Sequence, residues 1–138
     1  MEHTIDAKLL NGLSLAYIGD CVYEIYVRKH FILKGHTKVN DLHNLQQMYT
    51  KGERQSFYVQ YLLNNDILKE DEIEIYKRGR NSHIHSRRNN IDIKAYKEAT
   101  GFEAIIGYLY LQNNISRLEE LINLIFKLGE DDERLQSR

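Results

Sequence analysis

The fold is decided by residues 13–28, which read LSLAYIGDCVYEIYVR. Apolar residues recur there at three- and four-residue steps, as at Leu15, Ile18 and Val22, and this spacing indicates an α-helix. Because apolar residues also cover most of its other sides, we expect the helix to lie buried in the middle of a domain. The same stretch carries Asp20, which has no basic residue one turn away in either direction. A buried carboxylate without a partner is costly, so Asp20 is predicted to find a cation, hydrogen-bond donors or a metal elsewhere in the fold.

Length and composition indicate one globular domain that covers residues 1–138. The chain is 42% hydrophobic and 28% charged, and its net charge of −1 gives no overall sign of nucleic-acid binding. A single cysteine excludes an internal disulfide and favours a reducing compartment. The N-terminus has no signal-peptide pattern, and no apolar run is long enough to span a bilayer. We therefore predict a cytoplasmic protein without a membrane partner.

The whole chain favours an all-α fold, because it contains no proline and is rich in helix formers. The first helix is predicted to end near Leu33, before Gly35. Two sequences of the Ser/Thr-x-x-Glu form, at residues 50–53 and 116–119, predict capping boxes that open new helices. The other predicted helices are a stripe from Leu42 to Tyr49 and the stretches at residues 70–80 and 93–111, the last two separated by an exposed polar loop at 81–90. A glycine is predicted to end the last helix at residue 129, followed by a charged tail at 130–138.

A second unpaired carboxylate opens the apolar helix near the end of the chain. Glu103 precedes residues 104–111 and, like Asp20, has no basic residue one turn away. Gly19 and Gly107 are small enough to let the two helices approach closely. If these helices pack together, the two carboxylates converge and can hold a hard divalent cation such as Mg²⁺, which prefers oxygen ligands. The alternative, which spacing alone leaves open, is that each carboxylate caps or hydrogen-bonds another segment.

Positive charge is concentrated in residues 77–97, which hold seven basic residues against one acidic residue, a net charge of +6. Such a cluster focuses positive potential on one surface and suits a phosphate backbone. A solvated loop without a ligand is the alternative. The candidate phosphate-binding residues are Lys77, Arg78, Arg80, Arg87 and Arg88, with His83 and His85 as further hydrogen-bond donors.

Two motifs in this chain resemble the catalytic domain of the ribonuclease III family. Residues 15–23, LAYIGDCVY, resemble its signature helix, whose core is a Gly-Asp pair after an apolar residue. Residues 100–111, TGFEAIIGYLYL, resemble its second acidic helix. Residues 77–81 and 96–100 are further similar to Mini-ribonuclease III, the short form of the family without a double-stranded-RNA-binding domain.

The resemblance implies roles for the two carboxylates. Asp20 matches the signature aspartate, implicated in catalysis and metal binding, and Glu103 matches the later metal-binding glutamate. Three family carboxylates are replaced, since Leu13 and Ala16 stand at glutamate positions and Thr100 stands at an aspartate position. With fewer charged ligands, we expect weaker Mg²⁺ binding, and a second ion that depends on RNA phosphates.

The resemblance also implies an all-helical homodimer with two symmetry-related sites along one groove. We therefore expect a Mg²⁺-dependent endoribonuclease that cleaves double-stranded RNA and matures the ends of precursor 23S ribosomal RNA. Such an enzyme recognises A-form RNA through its shape, phosphates and 2′-hydroxyls. A large-subunit ribosomal protein is a further candidate partner. The alternatives are a non-catalytic helical dimer that binds structured RNA or a ribosomal protein, and a helical DNA-binding regulator.

Overall fold

The computed structural model describes residues 5–82 and 92–136, the last four of these through their backbone alone. Its described residues form helices and no strands, so the predicted all-α fold is confirmed. No helix among them has both the length and the apolar character needed to cross a membrane. A 3₁₀ turn at Ala7–Leu9 precedes α1 (Gly12–Leu33), α2 (Val39–Thr50), α3 (Gly52–Asn64), α4 (Glu70–Arg80), α5 (Ile93–Leu111) and α6 (Ile115–Gln136).

The end of α1 follows the prediction. Gly35 adopts φ +98°, a left-handed conformation that glycine reaches without a steric penalty. Its N–H donates to the carbonyl of Ile32 at 3.0 Å, and the N–H of His36 donates to the carbonyl of Phe31 at 3.2 Å. These two bonds form a Schellman motif, which satisfies carbonyls left open at the end of the helix.

Both predicted capping boxes are wrong, although helices do begin close to them. Thr50 is the last residue of α2, and its hydroxyl donates to the carbonyl of Gln46 at 3.1 Å, so Lys51 becomes the N-cap of α3. Likewise α6 begins at Ile115, where Asn114 Oδ1 accepts the backbone N–H of Arg117 at 3.4 Å. In both places a neighbouring residue takes the N-cap position, so the helix begins at a different residue.

Helix α6 continues past Gly129, where the sequence predicted its end, and runs to Gln136. The glycine is required by packing, because a Cβ atom there would lie 2.4 Å from the ring of Tyr49. Tyr49 is buried and donates a hydrogen bond to the carbonyl of Phe126 at 3.2 Å. The glycine therefore gives α6 close contact with the aromatic core.

Helix α5 occupies the centre of the fold and packs against α1, α3 and α4. Its contact with α1 is a contact between backbones. A Cβ atom on Gly19 would lie 1.8 Å from the carbonyl oxygen of Glu103, and one on Gly107 would lie 2.0 Å from the carbonyl oxygen of Leu15. The predicted close approach of the two helices is confirmed, and only glycine fits at either position.

Helix α1 is buried on one side only, which corrects the prediction that it is buried all round. Leu15, Val22 and Tyr23 face the core, but Tyr17 is 80% exposed and Ile25 is 65% exposed. Exposed apolar residues recur there every four positions and so form one face, which we call the α1 apolar face: Leu13, Tyr17, Cys21 and Ile25. Asp20 is also exposed rather than buried.

A buried ion pair that the sequence analysis missed ties α6 to α4. The guanidinium of Arg117 donates to both carboxylate oxygens of Glu72, each at 2.9 Å, and to the carbonyl of Ile67 at 2.7 Å. Glu72 also accepts the N–H of Lys69 at 2.8 Å. This carboxylate is 1% exposed, and its hydrogen bonds compensate for the loss of solvent.

Gly107→Ala is expected to lower the free energy of unfolding by about 3 kcal/mol, because the methyl group overlaps a backbone oxygen and forces α1 away from α5. Gly52→Ala is the matched control, since a Cβ atom there meets nothing within 4 Å. The Gly52→Ala variant should have a free energy of unfolding equal to that of wild type or slightly higher. Urea unfolding of both variants measures the difference, and wild-type stability in Gly107→Ala would contradict the described helix contact.

Candidate active site

The contact between α1 and α5 brings together the two carboxylates singled out in the sequence. Asp20 follows Gly19 directly, and Gly19 lies against the backbone of Glu103. The carboxyl groups of Asp20 and Glu103 are close enough to form a hydrogen bond with each other. Asp20 is exposed and Glu103 is partly buried, so the pair lies at the surface with one member extending inward.

The electrostatics of this pair favour a proton or a cation between the two groups. Burial raises the pKa of Glu103 from its ordinary value of 4.5 to about 9, and the hydrogen bond and negative charge of Asp20 contribute in the same direction. The Gln55 amide acts against this rise in the pKa of Glu103, whereas the charge of Glu24 adds to it. Glu103 therefore holds a proton at neutral pH, next to the Asp20 carboxyl group. A divalent cation that binds both groups would replace this proton.

Glu24 lies one turn after Asp20 on α1 and has two partners. The first is Arg28, whose Nη2 lies 3.6 Å from Glu24 Oε1. The same oxygen accepts a hydrogen bond from Gln46 Nε2 at 2.8 Å. Since the charge of Glu24 also raises the pKa of Glu103, it adds to the negative potential around the pair.

A cleft of about 410 Å³ runs along the first half of α5, from Asp92 to Glu103. One wall comes from the start of α3 and the other from the first half of α5. Its volume lies within the range of small-molecule sites in proteins. The lining residues that bear polar side-chain atoms are Thr50, Lys51, Glu53, Gln55, Asp92, Tyr96, Thr100 and Glu103.

Gln55 is a site residue that the sequence analysis missed. It is 3% exposed and lines the cleft, and its amide lies beside the Glu103 carboxyl group. Its Nε2 donates to the carbonyl of Thr50 at 3.0 Å, whereas its Oε1 is buried without a hydrogen-bond partner among the described residues. A signal was available, because Gln55 shares helical spacing with Tyr58, Val59 and Leu62 on the buried face of α3.

The donor atoms at this place fit a hard divalent cation. Carboxylate and amide oxygens are the ligands that Mg²⁺ and Mn²⁺ accept, and Asp20, Glu103 and Gln55 supply both kinds. Within the described residues no group of three or more His, Cys, Asp or Glu side chains is placed to hold a metal ion. A cation here would thus have Asp20 and Glu103 as its carboxylate ligands among the described residues.

The candidate RNA-binding residues differ in what the structure shows of them. Lys77 is exposed, and the guanidinium of Arg80 lies 5.5 Å from the centre of the Tyr76 ring. Arg78 instead makes internal contacts, since Nη1 donates to the carbonyls of Lys8 at 2.5 Å and Leu10 at 2.9 Å. The remaining four candidates, together with most of the predicted loop, lie outside the described residues: His83, His85, Arg87 and Arg88.

The three residues that stand where the family has carboxylates make ordinary structural contacts. Leu13 is 45% exposed on the α1 apolar face, and Ala16 is buried. Thr100 lines the cleft, and its hydroxyl donates to the carbonyl of Tyr96 at 3.0 Å. None of the three supplies a negative charge to the Asp20–Glu103 pair.

Comparison with known proteins defines the class of this helical domain. A family model described as the ribonuclease III domain matches residues 13–114, which include α1 from its second residue, the cleft and all of α5. A crystal structure of a protein from Fusobacterium nucleatum is similar in fold, with a TM-score of 0.76 and 30% sequence identity. The match covers 88% of this chain and 96% of that one.

Curated relatives narrow the class further. The Mini-ribonuclease 3 of Enterococcus faecalis is 46% identical over 94% of this chain and 98% of its own length. That of Streptococcus pneumoniae is 45% identical over 86% of this chain and 93% of its own length. The chain therefore belongs to the ribonuclease III family, in its Mini-ribonuclease 3 group, and is an endoribonuclease.

Proposed function

We propose that this endoribonuclease depends on Mg²⁺, cleaves double-stranded RNA and matures the ends of precursor 23S ribosomal RNA in the cytoplasm. The observation that carries the metal dependence is the close approach of the carboxyl groups of Asp20 and Glu103, which have no basic partner within their own helices. The RNA substrate is supported by the resemblance of residues 77–81 and 96–100 to the short form of the family.

In the proposed mechanism Asp20 and Glu103 hold the cation and are the catalytic residues. When bound there, Mg²⁺ supplies the positive charge that activates a water molecule and stabilises the leaving oxygen of the phosphodiester. Glu103 gives up its proton to become a ligand, and its partial burial fixes the position of its carboxylate. Asp20 is exposed, so an RNA phosphate can approach it from solvent. Glu24 adds negative potential that favours retention of a cation.

Asp20→Asn is expected to abolish cleavage of a duplex precursor in the presence of Mg²⁺ and to leave folding and RNA binding intact. The amide keeps the shape of the side chain but is a much poorer cation ligand. Gel analysis of the cleaved RNA, with and without Mg²⁺, gives the readout.

Asp66→Asn is the matched control, because Asp66 lies in the turn between α3 and α4 at φ 54°, a conformation that asparagine also tolerates. It should cut at the wild-type rate. Cleavage by Asp20→Asn at the wild-type rate would refute the site assignment. A wild-type protein that binds the duplex without cutting it would favour the non-catalytic alternative.

We further propose that the active form is a homodimer joined through the α1 apolar face. Tyr17 and Ile25 expose most of their side chains there, and continuous exposed apolar surface is typical of interaction sites. Asp20 is three residues from Tyr17 and so borders the same face. A twofold axis at this face would place two Asp20–Glu103 pairs on either side of one interface.

Ile25→Glu should convert the dimer into a monomer, because each subunit would bury an unpaired carboxylate at the interface. We expect the dissociation constant of the dimer to rise about 100-fold, a typical effect at a central interface residue. Sedimentation equilibrium measures the change. Val39→Glu, at an even more exposed position at the start of α2, should remain dimeric. A dimeric Ile25→Glu variant would place the interface elsewhere.

We propose that RNA also contacts the basic residues at the end of α4 and between α4 and α5, in addition to the catalytic pair. Lys77 and Arg80 stand at the end of α4, and Arg87 and Arg88 precede Asp92 in the chain. Asp92 caps α5 and lines the cleft, so the chain enters the cleft wall directly after this basic segment. The full proposed set is Lys77, Arg78, Arg80, His83, His85, Arg87 and Arg88. Because Arg78 also binds two backbone carbonyls, its substitution would affect folding as well.

Arg87→Ala combined with Arg88→Ala should weaken RNA binding and reduce the salt slope of log K by about two, since each lost phosphate contact removes close to one unit. Both changes are made in Asp20→Asn, which keeps the duplex intact during the titration. Lys127→Ala, on a helix that contributes nothing to the cleft wall, is the control and should keep the slope. An unchanged slope in the double variant would remove these arginines from the interface.

A further inference from the structure

Lys51 occupies the N-cap of α3, but its side chain does not stabilise the helix there. The side chain makes no capping hydrogen bond, and a positive charge is unfavourable at the N-terminus of a helix. The residue bonds only through its backbone, where its N–H donates to the carbonyl of Gln47 at 3.2 Å and its carbonyl accepts the N–H of Gln55 at 2.9 Å. Lys51 is exposed and belongs to none of the ion pairs among the described residues. The fold of α3 therefore does not account for a lysine at this position.

The position of Lys51 identifies the kind of ligand that its amine would bind. Lys51 lines the cleft that ends at Glu103, and of the described residues in that lining it alone has a basic side chain. Acidic residues stand on both sides, with Glu53 on the α3 wall and Asp92 at the start of the α5 wall. Without Lys51 these walls would repel the phosphates of an RNA strand. A lysine ammonium is a compact charge that suits a phosphate group.

The other cation at the start of α3 is held by contacts within the chain. Arg54 Nη2 lies 3.0 Å from Asp132 Oδ2, and Arg54 Nε donates to the carbonyl of Met48 at 3.1 Å. Arg54 is also not among the residues that line the cleft. On the α3 wall, the basic side chain that is available to an RNA strand is therefore Lys51.

We propose that the Lys51 amine binds a phosphate of the RNA strand that is cut, next to the scissile phosphate. This inference rests on the proposed function, because it presumes that the strand is cut at Asp20 and Glu103. Glu103 lies at one end of the cleft, so a strand with its scissile phosphate at this pair can place a neighbouring phosphate within the cleft. Lys51 touches no reacting atom in this arrangement. It is a positioning residue that holds the strand against the α3 wall.

The first measurement is the salt dependence of binding to a fully paired RNA duplex, made in Asp20→Asn without Mg²⁺ so that the duplex stays intact. Lys51→Gln should reduce the salt slope of log K by about one and weaken binding about tenfold at about 0.1 M salt, because one phosphate contact is lost. Lys51→Arg keeps the charge and should keep the slope.

Lys38→Gln is the matched control and should also keep the slope. Lys38 is the N-cap of α2, is exposed and makes no capping hydrogen bond, but it does not line the cleft. An unchanged slope in Lys51→Gln would overturn the inference. An equal loss in Lys51→Gln and Lys38→Gln would overturn it as well, and so would a loss in Lys51→Arg.

Cleavage kinetics with Mg²⁺, in chains that keep Asp20, separate strand binding from a structural role. Lys51→Gln should raise KM about tenfold and leave kcat within about twofold of wild type, because the phosphate contact is the same before and during cleavage. A fall in kcat with unchanged KM would overturn the inference. Thermal unfolding should give Lys51→Gln and Lys38→Gln the same small change in Tm, since both side chains are exposed at an N-cap.

The same experiments distinguish this inference from the function on which it rests. An unchanged slope in Lys51→Gln, with cleavage lost in Asp20→Asn, overturns the role of Lys51 and keeps the catalytic pair. Cleavage by Asp20→Asn at the wild-type rate overturns the catalytic pair, and with it a role of Lys51 beside that pair.

Discussion

The backbone contact between α1 and α5 is the constraint on which the rest of the structure depends. Gly19 and Gly107 leave no room for a side chain, so the two helices touch through their main chains. One of these contacts is made by the carbonyl of Glu103 itself, and Asp20 is the next residue after Gly19. The same contact that closes the core therefore sets the separation of the two carboxyl groups, and a shift of either helix would change the fold and the site together.

Glu72 is fully buried and Glu103 is partly buried, and the groups around their carboxylates carry opposite charges. Glu72 is paired with Arg117 through two hydrogen bonds and also caps α4, which is the usual way to stabilise a buried charge. Glu103 faces another acidic group instead, and its pKa rises to about 9 as a result of burial and that neighbour. Two adjacent acidic groups disfavour each other's ionised form, which costs stability. Groups in a cleft whose pKa values are shifted this strongly are typical of functional sites.

The order of the helices was accessible from sequence, because it follows from apolar periodicity. The convergence of Asp20 and Glu103 was one of two possibilities that carboxylates without local partners left open. The degree of burial of α1 was not accessible, since apolar residues such as Tyr17 and Ile25 look the same in a sequence whether they face the core or the surface of the chain. Gly129 was misread because packing against Tyr49 and helix termination both favour glycine. Arg78 was assigned by charge alone, and its contacts with two distant carbonyls depend on tertiary structure.

Gln55 was missed because its place in the cleft wall appears only once the start of α3 packs against the first half of α5. The proposed mechanism requires that Asp20 and Glu103 share one ion, and crystals grown with Mn²⁺ test this requirement most directly. It predicts one anomalous scattering peak about 2.2 Å from a carboxylate oxygen of each residue. A peak bound elsewhere, or no peak between these two groups at saturating Mn²⁺, would contradict it.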